Sequence, residues 1–512
     1  MKPHLSNAAS TATPVRHLDA GAPDDTRKAR QLIWLLPYHA LVWTIAAWLS
    51  RGNLDIQGDM IENYVWGIEW RAGYAKHPPL FAWITAAWFR VFPHVDIAYF
   101  ALSALNAMVG LLGIVALARR FLPRQLAIVA GLAMAVSPLY SNLAIKFNAN
   151  SVLLSIWPWT AYYFVRFMQT GGWRCGLALG ALAGAAVLGK YFSIVLLLAL
   201  MIAAIVRPSW RRRLLSWHAL PVAVAGFVVL LPHLHWLVVN DFPTFGYAHE
   251  RTGGALSEAA ARFGIYTAAQ VGYLALSFCF VVLLAPVGRI RVAGVMASAV
   301  LRPSRHADLW WLAIGPLIVV GMIALAARTQ MASVWGMAQW FAIVPLWLVA
   351  ARDAGATLEP RRVEPILMGY WVLVLVATSI VGYVGALHNK DDAAEPRAEL
   401  AAAAHALWTE RTGHDIPIVA GSTHEAQSIA FYSDGHTRYW DIGDPRGTPW
   451  LSADDVRRNG ALFVCQENDD SCVSASGAFS HALPVPVEVH KQAWGRSLAA
   501  RRYWLFVMLP AS

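Results

Sequence analysis

The sequence is short of charged residues. Only 14% of its 512 residues are charged, whereas 57% are apolar and 24 are Trp. A soluble globular chain has about 25% charged and about 45–50% apolar residues. This composition therefore excludes an ordinary soluble protein and indicates one that is embedded in a lipid bilayer. The many Trp side chains agree with this, because Trp and Tyr are enriched where a membrane meets water.

The sequence also lacks two further features, the pattern of a cleavable signal peptide and a phosphate-binding loop. The first 30 residues lack the apolar core of a cleavable signal peptide. Because Arg27, Lys28 and Arg30 come just before the first apolar segment, residues 1–30 are predicted to be a disordered cytoplasmic tail. The chain has no phosphate loop of the ATP-binding type. The net charge of +10 does not predict a nucleic-acid partner, because the basic residues follow the membrane topology.

Cysteine is scarce, with four residues in the whole chain. Cys175 and Cys279 lie in or beside apolar segments and are predicted to be packing residues. Cys465 and Cys472 lie in the polar C-terminal region. Their spacing matches no zinc site, but it is compatible with a disulfide if that region is periplasmic.

Long apolar segments are plentiful, and eleven of them are predicted to span the membrane, because a span needs about 20 mostly apolar residues. The predicted spans are 31–50, 97–118, 126–142, 150–168, 176–189, 190–206, 219–239, 265–287, 309–327, 333–351 and 366–388. They place a transmembrane domain at 31–388. The stretch from Pro79 to Phe92 is too short to cross and contains Arg90, so it is predicted to be an amphipathic helix on the membrane surface.

The distribution of Lys and Arg fixes the predicted orientation. With the N-terminus inside, basic residues concentrate in the inner loops, as the positive-inside rule requires. Counting Pro79–Phe92 as a twelfth span would place those loops outside. The first loop, 51–96, is therefore predicted to be periplasmic, and so is the segment 389–512. In that segment "IPIVAG", "ALFVCQ" and "RRYWLFVML" are typical of strands, which predicts a small soluble α/β domain.

Polar residues collect in four of the outward-facing segments. They come from the first loop, from "KFNAN", from "GKYF" and from "NDFPTFGYAHER". The candidates are Asp59, Glu62, Lys76, His77, Lys146, Asn148, Asn150, Lys190, Tyr191, Tyr247, His249, Glu250 and Arg251. The alternative for most of them is structural, since loop charges are solvated, Lys190 can snorkel and Asn residues can cap a helix. Lys76 and His77 are harder to explain in this way, because two prolines fix the backbone directly after them.

One order of residues in the first loop resembles a known pattern. An acid after the first span, an aromatic-rich stretch and then "HPPL" leading into an apolar helix resemble the GT-C class of membrane glycosyltransferases. The similarity is greatest to the families of the bacterial aminoarabinose–lipid A transferase and the protein O-mannosyltransferases, over about residues 31–250. It implies an enzyme of the bacterial inner membrane, with membrane lipids as neighbours and a polyprenyl-phosphate sugar as donor.

The resemblance also implies roles for particular residues. The catalytic acid matches Asp59, which as general base would activate the acceptor hydroxyl. The basic position that engages the carrier phosphate matches His77, with Lys76 beside it. A second acidic position falls on Asn150, so that role passes to Glu62 or Glu250. Lys146 and Arg251 are further candidates for the carrier phosphate. The predicted substrate-binding residues are Asn148, Asn150, Lys190, Tyr191, Tyr247, His249 and Glu250.

Two other classes of function are compatible with a polytopic protein that handles lipid-linked sugars. A transporter or flippase would place ionisable residues at the centres of its spans and often shows repeats, but here the span centres are almost free of charge. An O-antigen ligase or polymerase usually has its large loop late in the chain, whereas here the notable loop comes first. A metal motif of the DxD type is lacking in the first loop, so dependence on a divalent cation stays open.

Overall fold

The computed structural model describes residues 23–55, 57–249, 252–303, 306–329, 331–433 and 436–511. Up to residue 387 these residues are almost entirely helical. The helices are α1 (Pro23–Ile33), α2 (Leu35–Arg51), α3 (Asp59–Gly67), α4 (Leu80–Phe89), α5 (Asp96–Ala118), α6 (Arg124–Ala135), α7 (Val152–Thr170), α8 (Trp173–Gly189), α9 (Ile194–Val206), α10 (Pro208–Leu214), α11 (Leu220–Val239), α12 (Pro243–His249), α13 (Leu256–Leu283), α14 (Arg289–Leu301), α15 (Ala307–Ala326), α16 (Ile343–Asp353) and α17 (Val363–Leu387).

Six helical segments among the described residues are long and apolar enough to cross a membrane. They contain α2, α5, α11, α13, α15 and α17. A seventh results if α9 and α10, which meet at a bend of 116°, are counted as one span. The remaining four predicted spans fall on α6, α7, α8 and α16, which do not reach this length and apolarity. The protein is therefore polytopic, and the number of eleven spans stays a prediction.

The start of the chain differs from its predicted boundary. Residues 1–22 of the predicted tail lie outside the described residues, but α1 already begins at Pro23. Within α1 the side chain of Ala29 is fully buried. The prediction of disorder up to residue 30 is therefore wrong for the last part, because a short amphipathic helix packs there.

Glycines allow two helix pairs to approach closely. An added Cβ at Gly110 of α5 would lie 2.1 Å from the carbonyl oxygen of Leu154 in α7. At Gly180 of α8 it would lie 2.1 Å from the carbonyl oxygen of Val222 in α11. Close backbone contact at small residues is a common way of packing membrane helices. It holds α5 against α7 and α8 against α11.

The region after α17 is an α/β unit. Its helices and strands are α18 (Asp391–Ala394), α19 (Arg397–Thr412), β1 (Ile418–Gly421), α20 (Thr423–Tyr432), β2 (Arg438–Tyr439), α21 (Ala453–Asn459), β3 (Ala461–Gln466), α22 (Asp470–Ser480), β4 (Val485–Val489), β5 (Gln492–Ala493), β6 (Arg496–Ser497) and β7 (Arg501–Met508). The main sheet has the order β2-β1-β3-β7-β4, in which β1 runs parallel to β2 and β3, and β7 runs antiparallel to β3 and β4. The three strands predicted from the sequence are β1, β3 and β7.

A disulfide joins the end of β3 to the start of α22. It links Cys465 and Cys472, whose Cα atoms are 5.6 Å apart. The predicted pairing is therefore present in the structure. The bond closes the short loop that begins at Gln466, and this loop borders a cavity of the C-terminal region.

Candidate active site

A cavity of about 670 Å³ lies between the first loop and the ends of the neighbouring helices. Its polar lining includes residues from α3, from the turn before α4 and from the segments before α7 and α9. These residues are Asp59, Glu62, Asn63, Lys76, His77, Asn148, Asn150, Lys190 and Tyr191. An apolar wall is formed by Phe192, Ile323, Ala327 and Trp335. The structure thus brings together predicted residues that are far apart in the sequence.

The first turn of α3 presents Asp59 to this cavity. Asp59 is the first residue of the helix, and Gly58 before it has a φ of 75°, a left-handed conformation that favours glycine. Asp55 fixes this turn, because its carboxylate accepts hydrogen bonds from the backbone N–H groups of Asp59 (3.0 Å) and Met60 (2.9 Å). An acid at this position also interacts favourably with the helix dipole.

Lys146 connects the two aspartates. Its Nζ lies 2.9 Å from Asp55 Oδ2 and 2.9 Å from Asp59 Oδ2. Burial lowers the pKa of Lys146, but the two carboxylates outweigh burial and raise it overall. Lys146 is not among the residues that line the cavity. Its predicted role as a partner of the carrier phosphate stays a prediction, and in this structure its charge is paired with two acids.

The two predicted asparagines extend the same network. Asn148 Nδ2 donates to Asp59 Oδ2 at 3.2 Å, and Asn148 Oδ1 accepts from the backbone N–H groups of Asn150 and Ser151. Asn148 therefore fixes the turn directly before α7 and also orients the carboxylate of Asp59. Asn150 Oδ1 accepts a hydrogen bond of 2.6 Å from Lys190 Nζ, which brings that ammonium group into the cavity wall.

Lys76 and His77 lie in the turn before α4 and line the same cavity as Asp59. Lys76 Nζ is 2.7 Å from Glu62 Oε1, and the Lys76 side chain is 48% exposed. Burial raises the pKa of Glu62, and the charge of Lys76 opposes that rise. The His77 ring packs edge-on against Phe81 of α4, with 5.8 Å between the ring centroids. Glu62, which was predicted as a second catalytic acid, is thus the ion-pair partner of Lys76.

Tyr191 is held by a histidine that was not predicted. His233 Nδ1 lies 2.7 Å from the carbonyl oxygen of Ala72 and has to donate to it. In the neutral ring Nε2 is then the acceptor, so the Tyr191 hydroxyl donates to it at 2.6 Å. The same hydroxyl is 3.1 Å from Thr244 Oγ1, which ties the start of α9 to α11 and α12.

Four predicted residues are not placed by the structure. Tyr247 and His249 belong to α12, but their side chains are not described. Glu250 and Arg251 lie outside the described residues. Their roles stay predictions, although Thr252, the next described residue, lines the cavity.

Sequence reasoning missed Asp55, Asn63 and Trp335. The spacing of Asp55 four residues before Asp59 is a signal of helix capping that could have identified it. Asn63 is buried, and its Nδ2 donates to the carbonyl oxygen of Phe147 at 2.7 Å, which fixes α3 to the "KFNAN" segment. Trp335 offers its ring face to Lys190 Nζ at 4.8 Å, a cation–π contact that no sequence pattern indicates.

Among the described residues, no group of three or more His, Cys, Asp or Glu side chains lies close enough to hold a metal ion.

Comparison with known sequences gives partial matches. The family described as dolichyl-phosphate-mannose-protein mannosyltransferase matches residues 76–236, a range that includes Lys76 and His77. The lipopolysaccharide core galacturonosyltransferases RgtA and RgtB of Rhizobium johnstonii are 29% identical over 182 residues and 28% identical over 187 residues. These matches cover 33% and 34% of this chain, and 34% and 36% of the relatives. The matched part therefore spans about a third of the length of either relative.

The fold is shared over almost the whole chain with a solved protein. The crystal structure of ArnT from Cupriavidus metallidurans, bound to undecaprenyl phosphate, covers 93% of this chain and 98% of its own, with a TM-score of 0.56 and 15% sequence identity. The fold and the site together describe a polytopic membrane protein with a polar cavity beside its first loop. The chain is thus similar to a glycosyltransferase family over residues 76–236, and its fold is similar to that of ArnT.

Proposed function

We propose that this protein transfers a sugar from a polyprenyl-phosphate carrier to an acceptor at the periplasmic face of the bacterial inner membrane. The observation that carries the proposal is the cavity around Asp59. It combines an accessible carboxylate, the cations Lys76 and Lys190, and an apolar wall in one space. A transfer that expels a lipid phosphate needs all three.

Asp59 would act as general base. Its side chain is 43% exposed, and the contacts with Lys146 and Asn148 engage Oδ2. The acceptor oxygen attacks the anomeric carbon of the donor sugar while its proton passes to the Asp59 carboxylate. The bond between that carbon and the phosphate oxygen breaks, and the polyprenyl phosphate leaves with the bonding electrons.

The leaving phosphate gains negative charge, which cations in a water-poor cavity stabilise. Lys76, His77 and Lys190 line the cavity and are the proposed partners of that phosphate. The polyprenyl tail would lie against the apolar wall that includes Phe192 and Ile323. The undecaprenyl phosphate bound by ArnT, a protein of similar fold, supports a carrier of this kind.

The proposed acceptor is a component of lipopolysaccharide. Support comes from the two relatives, which are named as transferases acting on the lipopolysaccharide core. The test is mass spectrometry of lipopolysaccharide from cells with and without this protein, together with transfer from a labelled polyprenyl-phosphate sugar by the purified protein. Loss of one sugar residue in cells and transfer in vitro are expected. Unchanged lipopolysaccharide and no transfer would contradict the proposal. The comparisons give no support to a transporter, a flippase or an O-antigen ligase.

The proposed orientation predicts where the end of the chain lies. With eleven spans, a reporter that is active only in the periplasm gives a signal when it is fused after Ser512. The same reporter fused after Gly355, in the loop between α16 and α17, is the control and should be silent. A silent fusion after Ser512 with an active one after Gly355 would invert the topology and remove the site from the periplasm.

Removing the charge of Lys76 should weaken binding of the donor. Lys76→Met keeps the apolar stem, but it removes a charge-assisted hydrogen bond worth about 1.5–3 kcal/mol. The KM for the polyprenyl-phosphate sugar should therefore rise by roughly 10–100-fold. The matched control is Lys390→Met, because Lys390 is exposed beyond the end of α17. Equal KM values for both variants would show that Lys76 does not hold the phosphate.

The same variant has a signature in its pH profile. Lys76 lowers the pKa of Glu62 against the effect of burial. Without Lys76 that pKa rises further, so Glu62 stays protonated up to a higher pH. Where the pH dependence of transfer activity reflects ionisation of Glu62, that part of the curve should move to higher pH in Lys76→Met. In Lys390→Met it should not move.

A further inference from the structure

A second cavity, of about 510 Å³, lies in the C-terminal region. Residues of α19, α20, the disulfide loop and the start of β7 line it. Those used below are Arg397, His424, Glu425, Gln466, Asn468 and Ala500. We propose that this cavity binds the saccharide part of the acceptor, away from the hydroxyl that reacts. The proposal rests on the glycosyltransferase function proposed above.

The first argument is position. An added Cβ at Gly58 would lie 2.7 Å from His424 Nδ1, so the His424 ring packs directly on the residue before Asp59. Arg397 also donates to the carbonyl oxygen of Asp55 at 3.3 Å. Asp55 and Gly58, which precede Asp59, therefore contact two residues that line the second cavity. A long acceptor that presents a hydroxyl to Asp59 can reach this polar cavity on the C-terminal side.

The second argument is chemistry. Glu425 and Arg397 are only 3% and 4% exposed. Arg397 is paired with Glu395 at 2.8 Å, and Glu425 accepts a hydrogen bond from the Gln466 amide. Burial raises the pKa of Glu425. Planar carboxyl, amide and guanidinium groups recognise neighbouring hydroxyls through paired hydrogen bonds. The catalytic cavity, by contrast, has the apolar wall that a polyprenyl chain needs.

The third argument is that the cavity wall is preformed. Gln466 and Asn468 lie in the loop that the Cys465–Cys472 disulfide closes. Asp469 in the same loop accepts a hydrogen bond from Ser422 Oγ at 3.1 Å. A wall that is rigid before binding loses little entropy when a ligand is held. The volume of this cavity lies within the range of about 300–1,000 Å³ that is typical of ligand sites. It is larger than the space that a single hydroxyl group occupies.

Filling the cavity with a large side chain tests the proposal. Ala500 lines it and is exposed, so Ala500→Trp should fold while it blocks the space. The control is Ala499→Trp at the neighbouring exposed residue, which is not part of the lining. The probe is deacylated lipopolysaccharide core oligosaccharide. Its Kd, measured by calorimetry, and its KM in transfer should rise by roughly tenfold or more in Ala500→Trp. The control and the KM for the donor should not change.

Thermal unfolding shows whether Ala500→Trp is folded. If it is not, a smaller substitution tests the same cavity. Asn468→Ala removes one hydrogen-bonding side chain from the wall, and a several-fold rise in the Kd for the oligosaccharide is expected. Asn459→Ala, in exposed α21, is its control. A wild-type Kd in both Asn468→Ala and folded Ala500→Trp would overturn the subsite, even if transfer is normal. Absence of transfer by the wild-type protein would instead overturn the proposed function, while the calorimetric comparison still tests binding.

Discussion

Sugar transfer is expected to fall by roughly 10²–10⁴-fold when Asp59 is replaced by Asn, because that is the usual contribution of a positioned acid or base. The amide keeps the size of the carboxylate, and its oxygen can still accept hydrogen bonds from Lys146 and Asn148. It cannot take the proton of the acceptor. The measurement is the rate of transfer of labelled sugar from a polyprenyl-phosphate donor, at saturating donor, in detergent or liposomes.

Binding of the carrier separates this effect from loss of structure. The Kd of Asp59→Asn for the polyprenyl phosphate should stay close to the wild-type value, because Asp59 contributes no positive charge to the phosphate. Asp454→Asn is a matched control, since Asp454 is 82% exposed on α21 and should retain full activity. Near-normal transfer by Asp59→Asn would rule out its role as general base.

Asp55→Ala should have the largest effect on stability. The Asp55 side chain is 1% exposed, caps α3 and shares Lys146 with Asp59. Breaking a fully buried ion pair costs about 3–5 kcal/mol. Because Lys146 is 21% exposed and keeps Asp59 as a partner, a smaller loss of about 2–3 kcal/mol in the free energy of unfolding is expected. Thermal unfolding of the purified variant measures it.

The control for this experiment is another capping aspartate. Asp455 forms a capping box with Ser452 at the start of α21, in an exposed position. Asp455→Ala should cost only about 1 kcal/mol and leave transfer unchanged. If Asp55→Ala is as stable as Asp455→Ala, the turn before Asp59 does not depend on Asp55.

Much of the site follows from local sequence. Asp59 and His77 flank an aromatic stretch inside one loop, and the membrane threading places Asn150 on the same side. The cavity contains all three. The strands are equally local features, because β1 and β3 are short apolar runs between turn residues. Such patterns depend only on residues that are close in the sequence. For this reason they predict the strands and the residues of the first loop well.

The contacts that decide roles are not local. Lys146 looks like a free loop cation in the sequence, and only the fold brings it between Asp55 and Asp59. Arg438 forms two hydrogen bonds of 2.7 Å with Glu69, although 369 residues separate them. No periodicity connects positions so far apart. The number of spans is uncertain from sequence for a related reason, because short helices packed inside a bundle have the same composition as helices that cross the bilayer.

The ties between the first loop and the C-terminal region have a consequence for biosynthesis. Asp55, Asn53 and Glu69 are made early, but their partners Arg397, Lys491 and Arg438 emerge from the ribosome at least 340 residues later. Contacts of such sequence separation form late in folding. A nascent chain can thus insert its helices before the first loop has its C-terminal partners, and these contacts are completed only when the last segment has been made. With the function proposed above, partly made molecules would be unable to consume the lipid-linked donor.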